Sequence, residues 1–144
     1  LEHPNGWHRD TASRLLYQRQ DKSAILLLRK LAEESASPLG RVHALYALEG
    51  LSALEGRLVL NRMTDEHPRV REHALRLAER FSADPKIAGA MVDMIGDPDV
   101  RSRFQLAFSL GAFTSQEATR ALDQLARKDG KDALMRFAIL TSAH

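Results

Sequence analysis

The histidines are the first residues whose type could support chemistry, because imidazole is a common metal ligand and general base. No two of them have the i, i+4 spacing of a zinc-binding helix, and no H-E-x-x-H string occurs. Because the chain has no cysteine, a metal site would need ligands from separate helices. We therefore expect surface or helix-start histidines and no metal ligands. These residues are His3, His8, His43, His67, His73 and His144.

The carboxylates and hydroxyls form no recognisable catalytic set. Asp97 stands where a helix cap is expected, and Asp99 falls in the first helical turn, where negative charge suits the helix dipole. The sequence contains no G-x-S-x-G, G-x-G-x-x-G or P-loop string. The absence of cysteine also excludes a thiol nucleophile and Fe–S ligation. We expect a chain that is not an enzyme, with no catalytic, cofactor-binding or metal-binding residue and no cofactor.

The elements that would position these side chains follow a repeat. Three helix-start pairs, Ser37-Pro38, His67-Pro68 and Asp97-Pro98, are spaced by 30 residues. In such pairs the first side chain accepts a free N–H, and proline suits the first helical turn. A basic residue stands four positions after the first member of each pair, and the same register extends in both directions. The register basic residues are Arg9, Arg41, Arg71, Arg101 and Lys131.

Apolar residues follow the same register. The positions three, six and seven residues after every register basic residue are all apolar, in a chain that is 44% hydrophobic. Offsets of three, four and seven define one stripe of an α-helix. We therefore expect these residues in the core: Ala12, Leu15, Leu16, Ala44, Ala47, Leu48, Ala74, Leu77, Ala78, Phe104, Ala107, Phe108, Leu134, Phe137 and Ala138.

Each repeat has room for two helices. The first helices are predicted at 7–18, 38–49, 68–81, 98–110 and 131–141, and the second helices at 22–34, 53–64, 85–95 and 115–128. A helix pair of about 30 residues cannot bury its apolar stripe alone, so neighbouring pairs must stack. The prediction is an all-α, right-handed α-solenoid of four helix pairs plus a trailing helix. It forms one domain over 1–144, with repeats at 3–36, 37–66, 67–96 and 97–128 and a partial repeat at 129–144.

Two strings resemble HEAT-type repeats: DPDVRSRFQLAFSLG from Asp97 and HPRVREHALRLAE from His67. In that family a D-P-x-V-R start precedes an apolar first helix. The period of 30 to 32 is shorter than the usual HEAT length and looks more like the compact HEAT-like class. The main alternative is the tetratricopeptide repeat, whose Trp, Gly-Tyr and terminal Pro positions are not reproduced here.

A narrower resemblance lies at the amino end, in HPNGWHRDTASRLLYQRQDKSA from His3 and SPLGRVHALYALEGL from Ser37. These strings are similar to the helical-repeat segment of large secreted proteins from planctomycete-type bacteria. Such proteins join a dehydrogenase-like β-propeller, a HEAT-like array and a c-type cytochrome domain. This chain has Trp7-His8-Arg9 where that family often has Trp-Trp-Arg, and it lacks the haem signature C-x-x-C-H. The resemblance implies a segment of a larger exported or periplasmic protein, with the redox chemistry elsewhere.

The register basic residues have two interpretations. They could form a basic stripe for an anionic partner, or a structural ladder in which each pairs with a carboxylate or helix-end carbonyl of a neighbouring repeat. Strict periodicity favours the ladder, because stacked repeats reuse one interface. Trp7 is expected to cover the core of the first repeat.

The second helices are the expected interaction surface, because they line the concave side in HEAT-like arrays. The mixed charges there, which include Glu55 and Glu117, favour a protein partner over a phosphate backbone. The candidate interaction residues are Arg29, Arg57, Arg62 and Arg120.

Three functions remain open from the sequence. The favoured one is a non-catalytic interaction or spacer module of an exported dehydrogenase or haem-binding protein. The second is a stand-alone cytosolic HEAT-like adaptor or lyase-like chaperone subunit. The third, a nucleic-acid binder, is disfavoured because the net charge is only +2 and basic residues cluster no further than pairs such as Arg29-Lys30.

The apolar segments make two further predictions. The apolar run Ala24–Leu28 is far short of the roughly 20 residues that span a bilayer. An uncovered apolar face at 137–140 could support a dimer through the end of the solenoid.

Overall fold

The computed structural model describes residues 1–143, and within that range the chain is all-α, with nine α-helices and no strand. The helices alternate as the repeat predicts, and three short 3-10 turns extend or precede them. The helices are α1 Gly6–Arg19, α2 Ile25–Glu34, α3 Pro38–Gly50, α4 Gly56–Arg62, α5 Pro68–Ala78, α6 Pro85–Asp93, α7 Val100–Leu110, α8 Gln116–Asp129 and α9 Ala133–Ser142.

The chain forms two compact units, Leu1–Leu58 and Val59–His144. In the first unit, α1 and α2 both pack against α3. The buried residues of this unit come mainly from α3, which buries Ala44, Leu45 and Leu48 completely. Helix α1 buries no residue at all. The first repeat therefore contributes little core of its own.

The second unit has two layers of helices. Helix α7 lies beside both α5 and α9, while α6 and α8 pack together on the second layer. Fully buried side chains from both layers fill the space between them. They include Val70, Leu75, Ile87, Met91, Leu106, Leu125 and Met135.

Side-chain caps begin most of these helices. The side chains of Asn5, Ser37, His67, Asp84, Asp99, Ser115 and Asp132 each accept a backbone N–H of the first turn. His67 does so through Nδ1, which accepts the N–H of Arg69 at 3.2 Å. An imidazole nitrogen thus serves where a Ser or Asp oxygen is usual.

Helix α4 is shorter than the predicted 53–64 because of the way α3 ends. Ser52 adopts a left-handed conformation with φ of 54°. The N–H of Ala53 then bonds to the carbonyl of Leu48 at 2.8 Å, and that of Ser52 to Glu49 at 2.9 Å. These two bonds form a Schellman motif, which stops a helix and turns the chain. The left-handed residue is a serine, and Gly50, two residues earlier, is still helical.

Helix α7 begins two residues later than predicted. The expected start was the Asp97-Pro98 pair, but the cap is Asp99, whose carboxylate accepts the N–H of Ser102 at 2.9 Å. Asp97 instead uses its carboxylate to accept the N–H of Asp99 at 2.8 Å and an arginine from α5. The prediction was wrong here because a second aspartate follows Pro98 and takes over the cap.

Three residues that were expected in the core are exposed, two of them in α9 and one in α1. Leu134 and Phe137, which were expected in the core, are 68% and 63% exposed, and Leu15 in α1 is 38% exposed. Met135 and Ile139 take the buried places in α9 instead, at 1% and 8% exposure. Trp7, expected to cover the first repeat, is 67% exposed and its ring packs edge-on against that of His8.

Candidate interaction surfaces

One arginine recurs four residues after the cap of every first helix. We call this set the cap arginines. In each of them Nη1 donates to the backbone carbonyl six residues earlier, at 2.6 to 3.0 Å, so the guanidinium ties the helix start to the segment that precedes it. The cap arginines are Arg9, Arg41, Arg71, Arg103 and Arg136, and their caps are Asn5, Ser37, His67, Asp99 and Asp132.

This set corrects the last two register basic residues. Arg9, Arg41 and Arg71 are cap arginines, but Arg101 and Lys131 are exposed residues that lie two and five positions before Arg103 and Arg136. The sequence register was anchored on Pro98, which precedes the cap of α7, and the error carried forward into α9. The cap arginines are separated by 32, 30, 32 and 33 residues, so the constant spacing of 30 belongs to the proline pairs.

Two cap arginines in the second unit also bind a carboxylate of the next repeat. Arg71 holds Asp97 with two bonds, Nε to Oδ2 at 2.7 Å and Nη2 to Oδ1 at 2.8 Å. Arg103 holds Asp129 in the same way, at 2.7 and 2.9 Å. Such paired, charge-assisted bonds are among the stronger polar interactions in proteins. They link successive helix pairs of this unit.

At both ion pairs the pKa of the aspartate is lowered and the pKa of the arginine is raised. Burial works to raise the pKa of Asp97, but the hydrogen bonds from Arg71 and from the backbone of Asp99 outweigh it, so this pKa lies below its ordinary value. The hydrogen bond from Arg103 lowers the pKa of Asp129. The bonds to these carboxylates raise the pKa of Arg71 and of Arg103. Both pairs are therefore ionised at neutral pH.

The four predicted interaction arginines do not form one cluster. Arg29 and Arg57 line one groove of the first unit, between α2 and the start of α4. Arg62 forms an ion pair with Asp65 at 3.0 Å, and the carboxylate of Asp65 is almost fully buried. Arg120 is an exposed residue of α8. The groove of the first unit is thus the place where two of the four meet.

Two leucines that the sequence analysis did not single out give this groove its apolar character. Leu26 and Leu27 are 75% and 71% exposed, and they lie beside Arg29, which pairs with Glu55. We call Leu26, Leu27, Arg29, Glu55 and Arg57 the α2 surface. The signal was present in the run Ile25–Leu28, because four consecutive apolar residues cannot all face one side of a helix.

The histidines have local structural roles. Nδ1 of His3 accepts the N–H of Asn5 at 3.1 Å, and Nε2 of His43 accepts Nε–H of Arg9 at 3.2 Å. Burial lowers the pKa of His73, although the charge of Glu72 opposes this. Among the residues that the structure describes, no group of three or more His, Asp or Glu could hold a metal ion. His144 lies outside those residues.

The helices alternate and are capped by side chains, an arginine recurs after each first cap, and ion pairs join successive repeats. These features define an α-helical repeat protein. Comparison with known families gives the particular class: the HEAT repeat family matches residues 56–142. The chain belongs to the HEAT repeat family. No curated protein matches the sequence. Within 1–143, no helix is both long enough and apolar enough to cross a membrane.

Proposed function

We propose that this chain is a non-catalytic docking or spacer module that binds a protein through the α2 surface. HEAT repeats generally mediate protein–protein interaction and are generally not catalytic. The observation that carries the proposal is the pair of adjacent exposed leucines, Leu26 and Leu27, in a groove with charged walls. An apolar centre with a charged rim is typical of protein interfaces.

The charges of the groove define the chemistry of the partner. Arg29, Lys30 and Arg57 are balanced by Glu33, Glu34 and Glu55 in the lining. A phosphate backbone would be repelled by half of these groups, because its binding depends on neutralisation by Lys and Arg. A protein that inserts apolar side chains against the leucines and carries charges of both signs fits the groove.

The protein context of the module rests on the resemblance at His3–Ala24. We propose that it lies between a dehydrogenase-like propeller and a c-type cytochrome domain of an exported or periplasmic protein. Haem and the reacting substrate would then belong to those other domains, and this chain would hold no cofactor. A stand-alone cytoplasmic adaptor or lyase-like chaperone subunit is the alternative arrangement, and in it the α2 surface would bind a separate partner.

Single-cysteine labelling can test the α2 surface, because the chain has no cysteine of its own. Leu27→Cys carries an environment-sensitive fluorophore, and Thr119→Cys, an exposed position on α8, is the matched control. Each labelled chain is titrated with the purified propeller and cytochrome domains of the parent protein. We expect saturable blue-shifted emission from position 27 and no change from position 119.

A second set of variants separates the surface from the context. Leu26→Asp should abolish the shift, and Asp123→Leu on α8 should leave it unchanged. Absence of a shift at position 27 with both domains would reject the proposed context. Equal shifts at positions 27 and 119 would reject the α2 surface as the docking site.

A further inference from the structure

The arginine two residues after the cap has different contacts in α5 and α7. In α5 it is Arg69, whose guanidinium binds Glu72 of its own helix and, at 2.6 Å, the cap Asp99 of α7. In α7 it is Arg101, which is exposed and whose guanidinium forms no ion pair or hydrogen bond with any described residue. The cation that two carboxylates neutralise in one repeat therefore has no carboxylate in the next.

A difference five residues after the cap accounts for part of this contrast. That position is Glu72 in α5 and Phe104 in α7, so the carboxylate of the same helix is replaced by an aromatic ring. The cap of α9, Asp132, uses its carboxylate to accept the N–H of Met135 at 2.9 Å and does not pair with Arg101. The change from glutamate to phenylalanine thus removes a partner of the arginine and adds apolar surface beside it.

This surface lines a groove of about 510 Å³ on the layer of first helices in the second unit. Its apolar walls come from Val100 and Phe104 of α7 and from Leu134 and Met135 of α9. Val100 and Leu134 are 56% and 68% exposed, and Phe104 packs edge-on against Phe108 with 5.0 Å between ring centroids. We call four of the lining residues the α7 groove: Val100, Arg101, Phe104 and Leu134.

A further helix pair in the same stack would not fill the α7 groove. Helix α7 already has α9 beside it, yet Val100 and Arg101 are exposed. Helix α5 has α7 beside it, and the side chains of its equivalent residues Arg69 and Glu72 are still 30% and 28% exposed. Stacking of repeats leaves these positions accessible, so an occupant must approach from outside the stack.

We propose that the α7 groove binds an amphipathic α-helix of a partner protein. This helix inserts apolar side chains between Phe104 and Leu134 and places a carboxylate on Arg101. The carboxylate follows from charge complementarity, because the equivalent Arg69 binds two carboxylates. A helix is favoured because the backbone groups of α7 and α9 are bonded within their own helices, so an extended segment would find no backbone partners there. The groove is separate from the α2 surface and does not depend on its function.

The charges of the lining favour a protein over other anionic partners. Glu72 and Asp132 lie at the same groove as Arg101. A phosphate backbone or an anionic lipid surface would therefore meet two negative groups for one free cation. A helix can place a single carboxylate on Arg101 and keep apolar or basic side chains near the other two residues.

The test selects peptides with the full chain as the target. A display library presents peptides of about 18 residues, long enough to form a helix. Apolar residues occupy positions i, i+3, i+4 and i+7, and each flanking position is Glu, Gln or Lys. Peptides that bind the Leu134→Asp chain are removed first, which discards those that bind the α2 surface. We expect the native chain to capture part of the remainder, with Glu enriched at a flanking position.

The Leu134→Asp chain should fold normally. Leu134 is 68% exposed and lies in the first turn of α9, where negative charge suits the helix dipole. Circular dichroism and an unchanged Tm check this before the selection.

Fluorescence anisotropy with a selected peptide then measures the ion pair. Arg101→Gln should weaken binding by about tenfold, the usual effect of removing a charged hydrogen-bond partner. Replacing the enriched Glu of the peptide by Gln should weaken it equally, and the two changes together should add little. Arg127→Gln is the matched control, because it removes an exposed arginine of α8 that pairs with Asp123, and it should leave the affinity unchanged.

Three results of these experiments would overturn the proposal. They are the capture of no peptide after the removal step, enrichment of Gln or Lys as strong as that of Glu, and equal affinity of the Arg101→Gln chain. Two further results would give the groove to another occupant and overturn it as well. A dimer of the free chain in sedimentation that Leu134→Asp abolishes would make the occupant a second copy. Binding to vesicles of phosphatidylcholine and phosphatidylserine that Leu134→Asp abolishes would make it a membrane.

Discussion

The first repeat and the repeats of the second unit share a helix cap followed four residues later by an arginine, but the contacts of this arginine differ. Asn5 and Arg9 in α1 have the same cap and arginine spacing as His67 and Arg71 in α5. Yet α1 buries no residue, whereas α5 buries Val70, Ala74, Leu75, Leu77 and Ala78. Arg9 donates to a ring nitrogen of His43, whereas Arg71 holds a carboxylate with two bonds. The cap and its arginine start the helix in both places. The ion pair to a carboxylate of the next repeat is formed by Arg71 and not by Arg9.

The largest difference should come from removing matched leucines. Leu110 in α7 and Leu16 in α1 both lie seven residues after a cap arginine, but Leu110 is 1% exposed and Leu16 is only half-buried. Leu110→Ala should lower the free energy of unfolding by about 3 kcal/mol, and Leu16→Ala by about 1 kcal/mol. Urea unfolding followed by circular dichroism measures both. Equal losses would show that α1 is as well packed as α7.

A smaller difference is expected from the cap arginines. Arg71→Ala leaves Asp97, whose side chain is 5% exposed, without its ion-pair partner and should cost about 2 kcal/mol. Arg9→Ala removes bonds to carbonyls and to His43 at an exposed helix start and should cost less than about 1 kcal/mol. Arg127→Ala, at an exposed ion pair, is the control and should change little. Equal losses in the free energy of unfolding for Arg9→Ala and Arg71→Ala would contradict the comparison.

Acid should weaken the second unit through its carboxylates. The pKa values of Asp97 and Asp129 are lowered on folding, so their contribution is complete above the unfolded pKa and is lost as the pH falls through the folded pKa. We expect the free energy of unfolding to fall as the pH is lowered below about 4. Asp97→Asn should make this decline less steep. A decline of the same slope in Asp97→Asn would contradict the assignment.

The smallest effect is expected at Trp7. Because its side chain is 67% exposed, Trp7→Ala should change the free energy of unfolding by less than about 0.5 kcal/mol. The same substitution at Phe113, which is 5% exposed in the second unit, should cost several times more. A large loss in the free energy of unfolding for Trp7→Ala would show that Trp7 does cover the core of the first repeat.

The sequence predicted the helices well because their starts are local. Ser37-Pro38 and Asp84-Pro85 begin helices where the cap and the proline agree, and α3 and α6 start as expected. Asp97-Pro98 failed because Asp99 takes the cap, while the carboxylate of Asp97 is in contact with Arg71. That contact joins residues 26 positions apart, so no local pattern contains it.

The candidate interaction residues were harder to predict, because exposure depends on which neighbours a helix has. Leu140 and Leu75 hold equivalent positions four residues after a cap arginine, yet one is 73% exposed and the other is fully buried. The sequence could show that α2 has more leucines than one face can bury. It could not show that Leu26 and Leu27 would be the exposed ones beside Arg29 and Glu55.

Hydrogen exchange of the free chain, read by mass spectrometry, compares the two regions most directly. Local stability sets the exchange of amides in a folded chain, and helices with few buried contacts open first. We predict that the amides of α1 exchange about 100-fold faster than those of α7, since α1 buries nothing and α7 buries five side chains. Equal protection of α1 and α7 would contradict the account, because the first repeat would then be as firmly held as the repeats linked by Arg71 and Arg103.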